Sequence, residues 1–330
     1  MKSLIFCVLG TISTQQAHAS FREYTTFSYA QLAPQKEYML DLKTRIGNLG
    51  QQIEGRKGEG EDSQLALSVM YKLSEYLQFG AEFHQNQQTS DRLELLKPDL
   101  PSGANNYQLA TRDQRSALTG ILGLRVPLAS GKFVFSYAAE QLKIDRNERQ
   151  SFYSGITLVG EQRLQQDDKA LNHQFSLAYI QGRGMMGIDY TPQSENDSSD
   201  ILLTPRQLMV YINGNLLNNL QLGFSISQIR YFRDNPRELF LNRDHQTYRL
   251  GSIFYINKKV LGLELNYREA DIEAVDAFFN GEIKTYFGLQ ASRDMEVGAS
   301  FRYEQIRYSV GETDFATNAP GIGLEARINM

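Results

Sequence analysis

Residues 247–268 read T-Y-R-L-G-S-I-F-Y-I-N-K-K-V-L-G-L-E-L-N-Y-R, and this stretch decides the fold. Tyr248, Leu250, Phe254 and Ile256 share one parity, broken only by Ser252. After Asn257-Lys258-Lys259, Leu261, Leu263, Leu265 and Tyr267 share one parity again. The opposite parity holds Thr247, Arg249 and Gly251, then Gly262, Glu264, Asn266 and Arg268, with Ile253 and Tyr255 as apolar exceptions beside the turn. Alternation of period two on both sides of a tight turn is the signature of a β-hairpin.

The same unit recurs along the chain. Tyr38 to Ile46, Leu65 to Leu73, Leu77 to Phe83, Leu118 to Val126, Phe133 to Ala139 and Phe175 to Tyr179 each alternate. So do Met186 to Tyr190, Leu208 to Ile212, Leu220 to Ile226, Ile283 to Leu289, Met295 to Tyr303 and Ile322 to Met330. The segments read as roughly 8–11 residues long, near the length a tilted membrane-crossing strand needs. Short turns fall near Glu75, Ala129, Arg183, Leu216, Lys258 and Arg293. Polar connections are expected at 47–62, 85–116, 191–205, 233–246, 270–281 and 310–319, all on the other side. A soluble β-sandwich has no reason to put every long loop on one side. The expectation is an all-β chain: a transmembrane antiparallel up-and-down β-barrel of about 14 strands. Residues 144–170 are rich in charge but contain an apolar 152–160. They read as a long-side loop, or a hairpin that extends above the rim or folds into the lumen, and about 16 strands result if they hide two more. Closure follows from backbone chemistry, because an open strand edge in hydrocarbon leaves N–H and C=O groups unpaired at several kcal/mol each.

Composition narrows the class. Hydrophobic residues are 41% and the mean hydropathy is −0.42, so the body holds no long apolar helix. The longest apolar run is at the start: Lys2, then the apolar 4–12, then Ala17-His18-Ala19 before Ser20. That order predicts a secretory signal peptide over residues 1–19. Residues 20–35 are read as a periplasmic lead-in and 36–330 as the barrel. Cys7 is the one cysteine, so the exported chain is held by sheet pairing and burial, not disulfides. The net charge of −4 lacks the basic stripe of a nucleic-acid binder. With 18 Tyr, 18 Phe and no Trp, tyrosine and phenylalanine must supply any interfacial girdle.

The two parities predict two solvents. Leu, Ile, Val, Phe, Tyr and Ala fill one, which is assigned to lipid. The other holds many glycines and most of the charge. Its candidate pore-lining residues are Lys43, Arg45, Lys72, Glu82, Arg125, Glu140, Asp189, Arg249, Glu264, Arg268, Lys284, Glu296, Arg302, Glu325 and Arg327. Lys or Arg facing lipid at the midplane costs roughly 2–4 kcal/mol, so these side chains need a polar lumen. The signs nearly balance, so pairing across strands competes with rings of fixed charge. A ring of this size is too wide for wall side chains alone to fill.

Chemical motifs are sparse. His84, His173 and His245 remain after cleavage, but nothing in the sequence assembles a triad around them. Glu195 to Asp200 lacks the spacing and glycine of a calcium loop. Gly55, Gly58 and Gly60 are not followed by Gly-Lys-Ser/Thr. No catalytic residue, metal site or cofactor is assigned.

The alternating terminal strand Ile322, Leu324, Ala326, Ile328 and Met330 completes a pattern that resembles the bacterial outer-membrane β-barrel (porin-like) class. It covers about residues 36–330 as a pattern, and Met330 departs from that class's usual terminal aromatic. The resemblance implies an outer-membrane location with periplasmic N- and C-termini. It also implies contact with lipid and lipopolysaccharide, assembly by the barrel-assembly machinery, and passive diffusion of small hydrophilic solutes. A structural or surface-interaction barrel with a blocked lumen is the alternative reading, and a hydrolase at the rim a second. The orientation places Asn257-Lys258-Lys259 in a periplasmic turn and Asp244-His245 at the outer rim.

Overall fold

The computed structural model describes residues 38–53, 56–93, 101–104, 106–182, 184–193, 205–230, 244–270, 277–292, 294–310 and 313–329. The expected signal peptide and lead-in lie outside them. The strands are β1 Tyr38–Ile53, β2 Arg56–Lys72, β3 Leu77–Leu93, β4 Asn106–Leu128 and β5 Gly131–Ser154. They continue as β6 Thr157–Gln181, β7 Gly184–Thr191, β8 Arg206–Leu217, β9 Leu220–Arg230 and β10 His245–Ile256. β11 Lys259–Ala270, β12 Ala277–Gln290, β13 Met295–Val310 and β14 Thr313–Asn329 complete the set. Each pairs antiparallel with its sequence neighbours, and β1 pairs with β14, so the sheet closes on itself.

The hairpin of residues 247–268 has the register its alternation demands. Tyr248 faces Tyr267, Leu250 faces Leu265 and Ile256 faces Lys259. Asn257 turns the chain with φ 56°, a left-handed conformation that asparagine tolerates better than other residues with a side chain.

Burial separates two faces. Leu42, Phe79, Leu122, Phe135, Leu177, Val210, Phe224, Leu250, Leu263, Phe287 and Leu324 are exposed, and they share the outward parity all round the ring. A continuous apolar girdle on a closed barrel is a surface for lipid, not for water. Aromatic pairs mark its ends. Tyr38 stacks on Tyr71 at 4.8 Å beside the β2–β3 turn. Tyr248, Tyr267 and Phe279 form a row across β10, β11 and β12 towards the opposite end, with centroids 6.2 and 6.1 Å apart.

Several expected loops are strand instead. β1 and β2 run through most of 47–62, and β3 and β4 take up much of 85–116. β13 and β14 do the same at 310–319. Residues 144–170 form no extra crossings and no plain loop: β5 and β6 continue through them as one hairpin turning at Gly155, the hairpin alternative among the expectations. The reason lies in the solvent. Beyond the lipid both faces of a strand meet water or polar chain, so the alternation fades while backbone pairing continues. Lys143, Asp145 and Arg149 on β5 and Glu161, Arg163, Asp167 and Lys169 on β6 therefore point outward without lipid to exclude them. On the inward face Arg146 Nε and Nη2 donate to Asp113 at 2.9 and 2.7 Å and tie the extension of β5 to β4.

The rim at the end away from the short turns is uneven as a result. β4, β5 and β6 have 23, 24 and 25 residues, and β7 beside them has 8. Among the described residues β7 bonds β6 from Phe175 to Gln181 and no further along it.

Candidate functional site: the barrel interior

Alternation turns one side chain in two towards the interior, so the lumen is written by the second parity. All the candidate pore-lining charges lie on that parity. Arg125, Asp189, Glu264, Glu296, Glu325 and Arg327 are buried, and Lys43, Arg45, Lys72, Glu82, Glu140, Arg249, Arg268, Lys284 and Arg302 are half-buried.

The structure gathers some of them. Across the β1–β14 seam Arg327 Nε and Nη2 donate to the two carboxylate oxygens of Asp41, both at 2.6 Å. Glu296 stands opposite Arg327 on β13, and Tyr286 Oη donates to it at 3.1 Å. A second group spans β11, β12 and β13. Lys284 Nζ lies 3.2 Å from Glu264 and 3.8 Å from Glu282. Arg302 donates to Glu282 and, at 2.9 Å, to Glu304, and Asn266 donates to both Glu264 and Glu282 at 2.7 Å. Elsewhere Arg45 pairs with Asp62 at 2.8 Å, Arg125 donates to Gln78 at 2.7 Å, and Gln174 donates to Asp189 at 3.2 Å. Cross-strand neighbours of opposite sign thus neutralise each other instead of forming a ring of one sign.

The interior also carries apolar patches that the alternation did not predict. Val134, Ala178, Met185, Met209 and Tyr211 form one, with Ile180 against it. Ile253, Val260 and Tyr286 form another with Tyr255, so the two exceptions in the 247–268 hairpin are the edge of a lumenal patch. Met39, Met70, Ile121 and Ala138 form a third. Most lie within a few residues of the short turns. The signal that could have found them was the apolar residue on the wrong parity next to a turn.

Large side chains lie flat on this wall over glycines. A Cβ at Gly288 or Gly298 would overlap the Tyr286 ring, and one at Gly187 would overlap Tyr211. Tyr211 and Arg327 are nevertheless only 2% exposed. A cavity of about 190 Å³ remains higher up, near the β6–β7 step, where Thr119, Glu140, Asn172, Gln174 and Gln207 supply polar walls and His173 stands at its edge.

The three histidines are on separate strands. His84 on β3 hydrogen-bonds Gln64, His173 on β6 bonds the Tyr137 hydroxyl at 2.7 Å, and His245 opens β10. The barrel order keeps them several strands apart.

No family model matches this chain, and no curated protein matches it. Solved structures do. A monoaromatic hydrocarbon channel, the TodX deltaS2 mutant, superposes with TM-score 0.68 at 10% identity, covering 91% of this chain and 92% of that one. The Pseudomonas putida toluene transporter TodX gives 0.65 at 10% identity over 95% and 96%. A Pseudomonas aeruginosa FadL homologue gives 0.60 at 8% identity over 89% and 90%. The chain has the fold of the outer-membrane β-barrel class, as a closed antiparallel ring of the strands named above.

Proposed function

We propose that the chain is an outer-membrane channel that passes small solutes presenting apolar surface. The observation that carries this reading is the set of apolar patches on the lumenal face. A wall meant only for hydrated solutes has no use for Val134, Ile253, Val260, Met70 and Met185 facing inward, because contact with them strips water from a polar solute without replacing its hydrogen bonds. The self-neutralised charge groups add that no strong ion selectivity is built in. The similarity in fold to monoaromatic hydrocarbon channels and a toluene transporter supports the same solute class. Passive diffusion of small hydrophilic solutes is the second reading, favoured by the polar cavity around Glu140 and Asn172.

The orientation proposed is short turns and both termini on the periplasmic side, with the long β5–β6 hairpin outside. The test is uptake into proteoliposomes holding the folded barrel, comparing toluene with a small sugar, alongside single-channel conductance. Faster toluene entry with little steady conductance is expected. Sugar entry with large steady conductance favours the second reading, and no entry of either solute sinks the channel assignment.

A further inference from the structure

The cavity lined by β4, β5 and β6 differs from the rest of the lumen in its charge. It measures about 190 Å³, and Thr119, Ala138, Glu140, Asn172, Gln174 and Gln207 are among its walls. Glu140 on β5 stands opposite Thr119 on β4 and opposite Asn172 on β6, so the three form one row across the ladders. Neighbouring strands lie about 4.8 Å apart, which puts the three polar side chains within reach of one bound atom. All three have the inward parity.

Lumenal acids elsewhere are matched within the chain. Asp41 holds Arg327, Asp62 holds Arg45, and Glu264, Glu282 and Glu304 hold Lys284 or Arg302. Glu140 has no lysine or arginine within ion-pair distance among the described residues. Its hydrogen bond comes from the neutral amide of Asn172. That leaves Asn172 Oδ1 as a buried acceptor with no partner. Between Arg125 at one end and Arg115 and Arg146 at the other, the inward positions of β3 to β7 carry Glu82, Glu140 and Asp189 and no lysine or arginine. A half-buried carboxylate without a cation keeps much of its desolvation cost. The pocket is rich in acceptors and short of donors and positive charge.

We propose that this cavity binds a small protonated primary amine, with its ammonium on Glu140 and its hydrocarbon body against Ala138 and Pro205. An ammonium carries three donors, and Glu140, Thr119 Oγ1 and Asn172 Oδ1 offer acceptors on three successive strands. Its charge supplies what Glu140 lacks, in a charge-assisted hydrogen bond roughly twice as strong as a neutral one. A hard divalent ion fits less well, because it asks for six or more oxygens at short range and this wall supplies one free carboxylate. Volume points the same way. Benzene occupies a cavity of about 150 Å³, so a bare ion leaves most of this space unfilled and a ring-bearing amine does not. Binding needs only the folded wall, whether or not solute crosses the barrel.

The test is calorimetric titration of the full chain, folded in a non-ionic detergent, with benzylamine, benzyl alcohol and benzoate at neutral pH. These probes share a ring and differ in the charge of the head. Benzylamine should bind saturably at millimolar concentration, benzyl alcohol about tenfold more weakly, and benzoate not at all. Glu140→Gln should lower benzylamine affinity by about tenfold and leave benzyl alcohol unchanged. Glu140→Asp should keep part of the preference for the amine, and Asn172→Leu should weaken benzylamine several-fold. Folding of each variant is checked by its heat-dependent shift on a gel. Equal binding of benzylamine and benzyl alcohol to the wild type, no saturable binding of benzylamine, or unchanged benzylamine affinity in folded Glu140→Gln overturns the proposal. The wild-type comparison of probes decides the matter even where a variant fails to fold. Uptake plays no part in the measurement, so a failure of the channel reading leaves its outcome standing.

Discussion

Arg327 on the last strand grips Asp41 on the first with two parallel hydrogen bonds, although 286 residues separate them. The pair sits on the lumenal face of the closing seam, where Arg327 is 2% exposed. A bidentate fork is among the stronger polar contacts a protein makes, and it fixes register as well as distance. Removing one partner leaves the other charge buried. Asp41→Ala or Arg327→Ala should therefore destabilise the barrel by about 3–5 kcal/mol. Urea unfolding in micelles, followed by tryptophan-free tyrosine fluorescence and gel mobility, measures it. The pair replaced by apolar residues of similar volume should lose much less. Equal losses for the single and double changes would show that the fork itself is not what holds the seam.

Tyr286 makes a second prediction. Its ring lies over Gly288 and Gly298, and its hydroxyl supplies a hydrogen bond to the buried Glu296. Gly298→Val must lift the ring, and the overpacking should cost about 1–3 kcal/mol. Tyr286→Phe keeps the seat but removes the donor, leaving a buried acceptor unsatisfied at about 1–3 kcal/mol. The double variant should not cost the sum, because both act on one contact. Unfolding midpoints of the three variants decide the point.

The apolar patches predict transport behaviour. Ile253→Asn or Val260→Asn places an amide in the patch under Tyr286 and Tyr255. Uptake of an apolar solute should fall several-fold, and sugar uptake should not. If toluene and sugar respond alike, the patch is packing and not a solute surface.

The charge group predicts selectivity. Lys284 is the cation between Glu264 and Glu282. Lys284→Gln leaves excess negative charge on that sector of the wall. In channels opened by high voltage, the reversal potential in a salt gradient should shift towards cations, while the wild type stays near zero. An unchanged reversal potential would remove this sector from the conduction path.

Orientation is tested by labelling. Ile156, at the tip of the β5–β6 hairpin, is 99% exposed, and Lys258 lies in a short turn at the opposite end. In intact cells a membrane-impermeant thiol reagent should reach Ile156→Cys and spare Lys258→Cys. The reverse pattern would invert the barrel.

The sequence made the barrel readable for a definite reason. Lipid on one side and lumen on the other impose alternation, and Tyr248, Leu250, Leu263 and Tyr267 obey it with the register found in the structure. The alternation of short turns and long connections made the strand order readable too. The extensions of β4, β5 and β6 were blurred because water on both faces removes the alternation, so Ile144 to Ala170 read as a long-side connection of ambiguous path. The apolar lumenal patches were hidden because Ile253 and Tyr255 read only as apolar exceptions beside a turn. The Asp41–Arg327 fork was hidden because nothing local joins the two residues. Only the closing register brings them level.

The step between β6 and β7 has a mechanical meaning. A β-ladder resists parting in proportion to the bonds that must break together, and this ring is not uniform. The 8-residue β7 joins a 25-residue neighbour on one side and a 12-residue neighbour on the other. The seam where the chain's two ends meet is long and clamped by an ion pair. The fracture line of this barrel under heat or force therefore lies in the middle of the sequence, along β7, and the closure is not its weakest joint.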